Sequence, residues 1–432
     1  MNDQELAAAA LALLRENDVG AFIKPARLQY PHQWNWDAAF IAIGLRHVDA
    51  ELGRRELRAL LRAQWRSGMV PHIVYHAGPS DYFPPPDFWR TAGLPHAGAI
   101  PSSGLTQPPM AATAVRLLLD ATDDVAGIAF ARDAFPHLLA WHRWLHTARD
   151  PGGTGLVAIV HPWESGTDNS PRWRCPLAGL GEPAPPPYSR RDQRHVPVDE
   201  RPVTDDYARF MHLIGLYRGW GWDDTTLWAR APFLVVDVLF NAILLRADAD
   251  LAEIACRLGQ PRDEIDGWRS RGVTAFRERL WDEERGAFLD LDLRSGRRPA
   301  ADTWATFASL YAGVADPRAA TRMVDERLRA TGRYAGTHYG LPTVAIDDPR
   351  FEPRRYWCGP VWINANWLVA RGLRAAGYHD DARRIVDHAL ELARLSGFAE
   401  YYDPRDGSAC GARDFSWSAA LVLDLLHDPA GV

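Results

Sequence analysis

The sequence contains very little lysine and very little cysteine. Lys24 is the only lysine among 49 basic residues, which leaves almost no place for a Schiff-base lysine or a phosphate-binding Gly-Lys pair. The four cysteines form no C-x-x-C pair, so we expect no structural zinc site and a reducing, cytoplasmic location. Long apolar runs are also missing, and acidic residues precede the apolar segment 6–14. We therefore expect neither a membrane span nor a signal peptide.

A positively charged stripe is missing as well. The 432 residues carry a formal net charge of −6, and the 49 basic residues do not form a basic patch. Electrostatic attraction to nucleic acid or to an anionic membrane is therefore weak. Because 47% of the residues are hydrophobic, the chain can bury a large core, and we expect a globular protein that binds a small molecule. Homo-oligomerisation is left open.

Helical periodicity dominates the chain. Apolar residues recur at helical spacing over 57–65 and 385–392, as in amphipathic outer helices, whereas 233–245 and 361–373 are apolar almost all round. Helices of the second kind need neighbours on every side. Strand alternation is limited to short pieces such as 72–76. The succession of enclosed and amphipathic helices predicts an all-α fold, a closed (α/α)6 barrel of six helical hairpins.

No change of composition marks a linker, so we predict a single domain over residues 1–432. Two proline-rich pieces, 82–89 and 176–197, also carry aromatic and charged residues. Such composition favours long functional loops over flexible tethers. We expect loop excursions at about 72–107 and 159–202 that form a lid over the active site.

Tryptophan is unusually abundant, with 18 in the chain. A core needs few of them, so some are expected to line a binding surface. The block 30–40, YPHQWNWDAAF, groups Trp34, Asn35, Trp36 and Asp37 where a helix begins. Rings stacked on a sugar, with a carboxylate accepting hydrogen bonds from its hydroxyls, would explain this grouping. A core tryptophan pair with Asp37 as helix cap is the alternative, and the sequence leaves both open.

Two loop blocks carry a carboxylate beside aromatic residues. They are 161–173, HPWESGTDNSPRW, with Asp168, and 398–404, FAEYYDP, with Glu400. Nearby tryptophans can raise the pKa of a carboxyl group such as Asp168, as a general acid requires. Cleavage of a glycosidic bond uses two carboxyl groups, one to protonate the leaving oxygen and one to activate water. The alternatives are that Asp168 or Glu164 caps a turn and that Glu400 is a solvated surface residue.

Five motifs, in order between residues 30 and 420, carry a family resemblance. They are YPHQWNWDAAF, QWRSGMVPH, WESGTDNSPRW, RYWCGPVWINANW, and FAEYYDP followed by FSWSAA. Together they resemble glycoside hydrolase family 63, in particular its bacterial mannosylglycerate and glucosylglycerate hydrolase branch. The resemblance implies an (α/α)6 barrel without metal or organic cofactor. It also implies inverting hydrolysis of a small α-glucoside or α-mannoside, with glucosylglycerate or mannosylglycerate expected as substrate.

Carried over position by position, the resemblance makes Asp168 the general acid and Glu400 the general base. The substrate-binding residues that it implies, with Asn35 included from the first block, are Tyr30, Trp34, Asn35, Trp36, Asp37, Gln107, Gly166, Tyr356, Trp357 and Trp362. Three further residues resemble those that close over the ligand in the glycerate-active members: Arg201 and Tyr207 in RPVTDDY, and Tyr82 in DYFPPPDF.

Three alternatives to this function remain. Another α-glucosidase would act on trehalose, kojibiose or an oligosaccharide end, whereas Arg201 favours an anionic aglycone because a guanidinium pairs with a carboxylate. A sugar epimerase or isomerase would need a histidine pair, and His142 and His146 are four residues apart. That spacing also suits zinc, although no third ligand is indicated and an ordinary helix face is favoured. A sugar-binding protein would keep the tryptophans without needing both carboxylates.

Overall fold

The computed structural model describes residues 1–76, 81–122, 124–334, 337 and 339–427. Helices dominate it, which confirms the predicted all-α class. In chain order the α-helices within this part of the chain are α1 Asp3–Asn17, α2 Asn35–Leu45, α3 Ala50–Leu61, α4 Pro86–Trp89, α5 Ala111–Thr122, α6 Val125–Ala148, α7 Arg174–Ala178, α8 Thr204–Gly219, α9 Asp224–Arg230, α10 Val238–Arg257, α11 Asp263–Leu280, α12 Ala308–Tyr311, α13 Pro317–Met323, α14 Ile363–Ala375, α15 His379–Ser396 and α16 Ser416–His427.

Short elements connect these helices. The strands form four antiparallel pairs, each of two-residue strands: β1 Gln33–Trp34 with β2 Ile73–Val74, β3 Val235–Val236 with β6 Leu291–Asp292, β4 Trp281–Asp282 with β5 Ala287–Phe288, and β7 Tyr401–Tyr402 with β8 Ala409–Cys410. Single turns of 3-10 helix cover Pro162–Ser165, Pro171–Trp173, Arg191–Gln193, Val198–Glu200 and Trp304–Phe307, and Val324–Leu328 is a π-helical turn.

Six inner helices form a closed ring, and six outer helices surround it. The ring runs α2, α5, α10, α12, α14 and α16, and α16 packs against α2 to close it. The outer helices are α1, α3, α6, α11, α13 and α15. All residues of α2 are buried, because a helix enclosed by neighbours has no solvent face. This arrangement confirms the (α/α)6 barrel.

Two predicted helix boundaries are wrong. The helix expected from Phe233 begins at Val238, where Asp237 accepts a hydrogen bond of 2.8 Å from the backbone N–H of Leu239. Outer helix α3 ends at Leu61, so Trp65 lies beyond it in a turn, buried, with its ring N–H 2.9 Å from Ser102 Oγ. Apolar spacing alone does not separate a helix from a buried extended segment, which explains both errors.

The inner helices begin at the end of the barrel where the long loops gather. Trp34, Trp362 and Phe415, which directly precede α2, α14 and α16, line one cavity. The segments 72–107 and 159–202 line the same cavity, residues 77–80 lying outside the described part of the chain. Whether these segments close as a lid remains a prediction. No helix in the described residues has the length and apolar character needed to cross a membrane.

The histidine pair singled out in the sequence is part of a buried ionic cluster. His142 and His146 of α6 hold the two carboxylate oxygens of Asp248 on α10, at 2.7 and 3.0 Å. The His146 ring also stacks on Trp268 of α11 at 4.8 Å. Burial raises the pKa of Asp248, but the two histidines outweigh this effect and hold the pKa near 2. The cluster joins an outer helix to an inner one and is separate from the cavity.

Replacing Asp248 with alanine is expected to destabilise the protein by about 2–4 kcal/mol, because two buried histidine rings lose their shared hydrogen-bond partner. Since the folded-state pKa of Asp248 is depressed to about 2, its stabilisation is complete above about pH 4 and is lost as the pH falls towards 2. Urea unfolding at pH 7 measures the difference. Asp387→Ala, at an exposed position on α15, is the control. A loss no larger than that of the control would contradict the structural role of the cluster.

Candidate active site

One cavity, about 760 Å³ including its open mouth, collects the predicted site residues. This volume lies within the range of small-ligand sites, about 300–1,000 Å³. With the exception of Asn35, every predicted site residue lines it: Tyr30, Trp34, Trp36, Asp37, Tyr82, Gln107, Gly166, Asp168, Arg201, Tyr207, Tyr356, Trp357, Trp362 and Glu400.

Asp168 sits on a loop that is fixed on both sides of it. Thr167 accepts a hydrogen bond from Arg172 Nη2 at 2.9 Å through its hydroxyl and one from Trp173 Nε1 at 2.8 Å through its carbonyl. On the other side, Asn169 Oδ1 accepts from the backbone N–H of Trp357 at 3.0 Å. The backbone around the carboxyl group is therefore rigid.

The same loop requires glycine at 166. Gly166 has a φ of +72°, and a Cβ atom there would come within 2.5 Å of the Trp36 ring. The loop can therefore approach the start of α2 only because this position has no side chain. The glycine of the WESG motif brings Asp168 and the tryptophans of the first block together.

The Asp168 carboxyl group makes no hydrogen bond to another described side chain. Burial raises its pKa to about 7, with the charge of Glu400 adding to the rise and Arg201 opposing it. A carboxyl group with such a pKa carries a proton near neutral pH, as a general acid must. The interpretation of Asp168 as a mere turn cap does not fit, because its carboxyl group accepts no hydrogen bond from the backbone of another described residue. Glu164 is the structural residue, with both carboxylate oxygens bound by Arg149 at 2.7 and 2.9 Å.

Glu400 has the opposite environment. Its Oε1 accepts a hydrogen bond from Tyr30 at 2.7 Å and its Oε2 accepts one from the backbone N–H of Ala412 at 2.8 Å. Arg201 Nη1 lies 3.3 and 3.4 Å from the two oxygens. At 1% exposure Glu400 is not a solvated surface residue. A tyrosine, a backbone N–H and a guanidinium thus hold the two oxygens of Glu400 in place.

Arg201 joins several parts of the cavity. Besides Glu400, its Nη2 donates to the Tyr30 hydroxyl at 2.8 Å, and its guanidinium carbon lies 4.2 Å from the centre of the Tyr356 ring. Its Nε is buried, has no hydrogen-bond partner in the described part of the chain and lies 3.9 Å from an Asp192 oxygen. One donor of this arginine thus remains available.

The aromatic residues serve both the core and the cavity. Trp357 and Trp362 stack at 3.8 Å with nearly parallel rings and are each 1% exposed, so only a small part of each ring reaches the cavity. Trp36 meets Trp417 edge-on at 5.4 Å. Asp37, in the first turn of α2, is buried beside them, and burial together with the charge of Glu400 raises its pKa well above its usual value. Trp34, not Asp37, is the N-cap residue of α2.

Asn35 does not reach the cavity. It is fully buried, and its side-chain nitrogen donates to the carbonyls of Val70 and Pro71 at 3.3 and 3.2 Å. Its role is to fix the start of α2.

Further cavity residues were absent from the predicted set: Gln29, His72, Phe83, Trp163, Asp192, Pro202, Phe415 and Trp417. Most of these residues could have been predicted as cavity residues, because they lie inside or next to the quoted motifs. Trp417, in FSWSAA, presents a ring N–H with no partner among the described residues.

Comparisons with known proteins agree with this geometry. The model of a family described as "Mannosylglycerate hydrolase MGH1-like glycoside hydrolase domain" matches residues 30–418. Mannosylglycerate hydrolase of Thermus thermophilus is 47% identical over 417 residues, which cover 96% of this chain and 99% of the relative. Glucosylglycerate hydrolase of Mycolicibacterium hassiacum is 38% identical over 440 residues, covering 98% of each.

Solved structures of glycoside hydrolases share the fold of this chain. A GH63 mannosylglycerate hydrolase from Thermus thermophilus, in complex with Tris and D-glycerate, superposes with a TM-score of 0.91 at 46% identity and covers 97% of this chain and 99% of the other. Neutral trehalase Nth1 of Saccharomyces cerevisiae has a TM-score of 0.58 at 16% identity, covering 95% of this chain and 74% of the trehalase. The trehalase likeness shows the fold alone.

Proposed function

Because the chain belongs to the MGH1-like glycoside hydrolase family and is a glycoside hydrolase, we propose that it hydrolyses the α-glycosidic bond of mannosylglycerate or glucosylglycerate with inversion. The observation that carries the proposal is the contrast between two carboxyl groups of one cavity. Asp168 has its pKa raised to about 7, and Glu400 is bound by a guanidinium and two further donors. Pairs of carboxyl groups in opposite protonation states perform glycoside hydrolysis.

In the proposed reaction, protonated Asp168 gives its proton to the glycosidic oxygen as the bond to the anomeric carbon breaks. A water molecule attacks that carbon from the opposite face, and Glu400 accepts a proton from it. The products are free sugar and glycerate, and the enzyme is left with ionised Asp168 and protonated Glu400. Proton exchange with solvent restores both groups. Arg201 holds the Glu400 carboxylate ready for this step.

An anionic acceptor is supported by the surroundings of Arg201. Its buried Nε has no hydrogen-bond partner among the residues that the structure describes, and a carboxylate is the acceptor that a guanidinium N–H binds best. Tyr82 and Tyr207 line the same cavity as Arg201. Relatives named for both glycerate glycosides, and a related structure containing D-glycerate, support the same acceptor.

The other candidates have no comparable support. The histidine pair that an epimerase or isomerase would need is bound to Asp248, outside the cavity.

We also propose that the chain acts as one domain in the cytoplasm. The four cysteines are free thiols, and two of them, Cys358 and Cys410, are buried, which suits a reducing compartment.

Proton NMR of the first turnovers tests substrate and stereochemistry together. The enzyme is mixed separately with mannosylglycerate, glucosylglycerate, trehalose and kojibiose, and the anomeric signal that appears first is recorded. We expect the β-anomer of the sugar from one or both glycerate glycosides and no product from the two disaccharides. Appearance of the α-anomer would contradict inversion. Cleavage of a disaccharide without cleavage of either glycerate glycoside would contradict the acceptor assigned to Arg201.

A further inference from the structure

A second cavity lies at the far end of the barrel, away from the proposed active site. It encloses about 780 Å³ including its mouth and lies between residues of α5, α10, α12, α14 and the start of α15. Arg374, on its wall, is eleven residues after the first residue of α14, which places it about 16 Å further along the helix axis. None of its lining residues lines the first cavity.

The lining of this second cavity carries more positive charge than negative. Its charged lining consists of arginines, Arg116, Arg246, Arg371 and Arg374, and it has no acidic lining residue among the described residues. Arg116 and Arg246 both pair with Asp250, at 2.6 and 3.1 Å, and Arg116 also pairs with Asp120.

Asp424 pairs with Arg371 at 3.5 Å but is shared with Arg46. Arg374 makes no ion pair with any described residue and is half-buried. The carbonyl end of α14 carries about half a negative charge, which offsets only part of this excess.

A buried hydroxyl points into the same cavity. Tyr311 is 4% exposed and lines the cavity, yet its oxygen has no hydrogen-bond partner among the described residues. Buried hydroxyls are almost always satisfied by protein, water or ligand. Arg246 lies over the same residue, with its guanidinium carbon 5.8 Å from the centre of the Tyr311 ring. Among the described residues, the Tyr311 hydroxyl thus has no hydrogen-bond partner and Arg374 has no acidic partner, and both residues line this cavity.

We propose that this cavity is a binding site for a phosphate group, either inorganic phosphate or the phosphate of a small organic molecule. Guanidinium groups bind phosphate oxygens through two parallel hydrogen bonds, and four of them surround the space. Arg374 supplies a charge that no carboxylate of the described residues neutralises, and Tyr311 donates its hydroxyl hydrogen to a phosphate oxygen. The site does not depend on the proposed hydrolysis, because it uses none of the residues of the first cavity.

Isothermal titration with inorganic phosphate, and separately with glucose 6-phosphate, tests the site against chloride of equal ionic strength. We expect saturable binding by the wild-type protein and about tenfold weaker binding by Arg374→Gln, which loses one charged contact. Tyr311→Phe removes only the hydroxyl and is expected to weaken binding several-fold. Arg62→Gln, at an exposed arginine after α3 that lines neither cavity, is expected to bind like the wild type.

The two ligands separate the sources of the phosphate group. Tighter binding of glucose 6-phosphate indicates an organic phosphate, and tighter binding of inorganic phosphate indicates the free ion. Absence of saturable binding up to tens of millimolar would overturn the proposal. Equal affinity of Arg374→Gln and wild type would also overturn it. The proposal would also be overturned if phosphate inhibited hydrolysis in a purely competitive way and Arg374→Gln left this inhibition unchanged. That result would place the anion beside Arg201 in the first cavity.

Discussion

Replacing Glu400 with glutamine is expected to lower kcat on the order of 10³-fold while the protein stays folded. The amide keeps the shape of the carboxylate and an oxygen for the hydrogen bond from Tyr30, but it cannot accept a proton from the attacking water. Substrate binding, measured by titration, is expected to change far less than kcat. Glu200→Gln is the matched control, since Glu200 is 3% exposed and accepts the backbone N–H of Gly411 at 2.8 Å but does not line the cavity.

Azide distinguishes loss of a base from general damage to the site. In Glu400→Ala the removed side chain leaves space, and azide can attack the anomeric carbon without losing a proton. We expect azide to restore turnover and to give the β-glycosyl azide from an α-glycoside, with Asp168 still protonating the leaving oxygen. Failure of azide to restore any turnover in a folded variant, or full activity without azide, would show that Glu400 is not the base.

The barrel itself was predictable because its signal repeats along the chain. Enclosed helices such as α14 are apolar over most of their surface, whereas amphipathic ones such as α15 are apolar on one face only, so the hydrophobic pattern predicts the alternation of inner and outer layers. Boundaries were harder to predict. The buried segment before α10 has the composition of a helix but pairs as a strand, and only the position of its partner, Leu291–Asp292, decides this.

Candidate residues were predictable where motifs carry them, and their environments were not. Nothing in the sequence places Arg201 against Glu400, since 199 positions separate them and only the closed ring of helices brings them together. The sequence predicted Arg201 as a contact of the aglycone. The structure shows in addition that it binds Glu400, so its charge acts on the carboxylate that we propose as base. Asp192, on the same long loop, was not predicted as a cavity residue because no motif contains it.

Asp168→Asn is expected to lower kcat on the order of 10³-fold on glycerate glycosides, because the amide has no proton to give to the leaving oxygen. A glycosyl fluoride separates this role from a structural one. Fluoride departs without protonation, so the variant is expected to hydrolyse it at a rate close to that of the wild type. Full activity of Asp168→Asn on glycerate glycosides would show that another residue is the general acid.

The pKa of Asp168 also fixes the sign of two pH effects. Since the acid acts in its protonated form and its pKa is raised to about 7, kcat/KM is expected to fall about tenfold per pH unit above that value, and Asp168→Asn to lack this limb. A folded-state pKa above the unfolded value of about 3.9 means that wild-type stability declines between about pH 4 and 7. Asparagine does not ionise, so the melting temperature of the variant is expected to rise relative to wild type over that interval. Asp168 would then contribute to catalysis at a cost in stability. If the difference in melting temperature between the variant and the wild type were the same at pH 4 and pH 8, this would contradict a buried carboxyl group with a raised pKa.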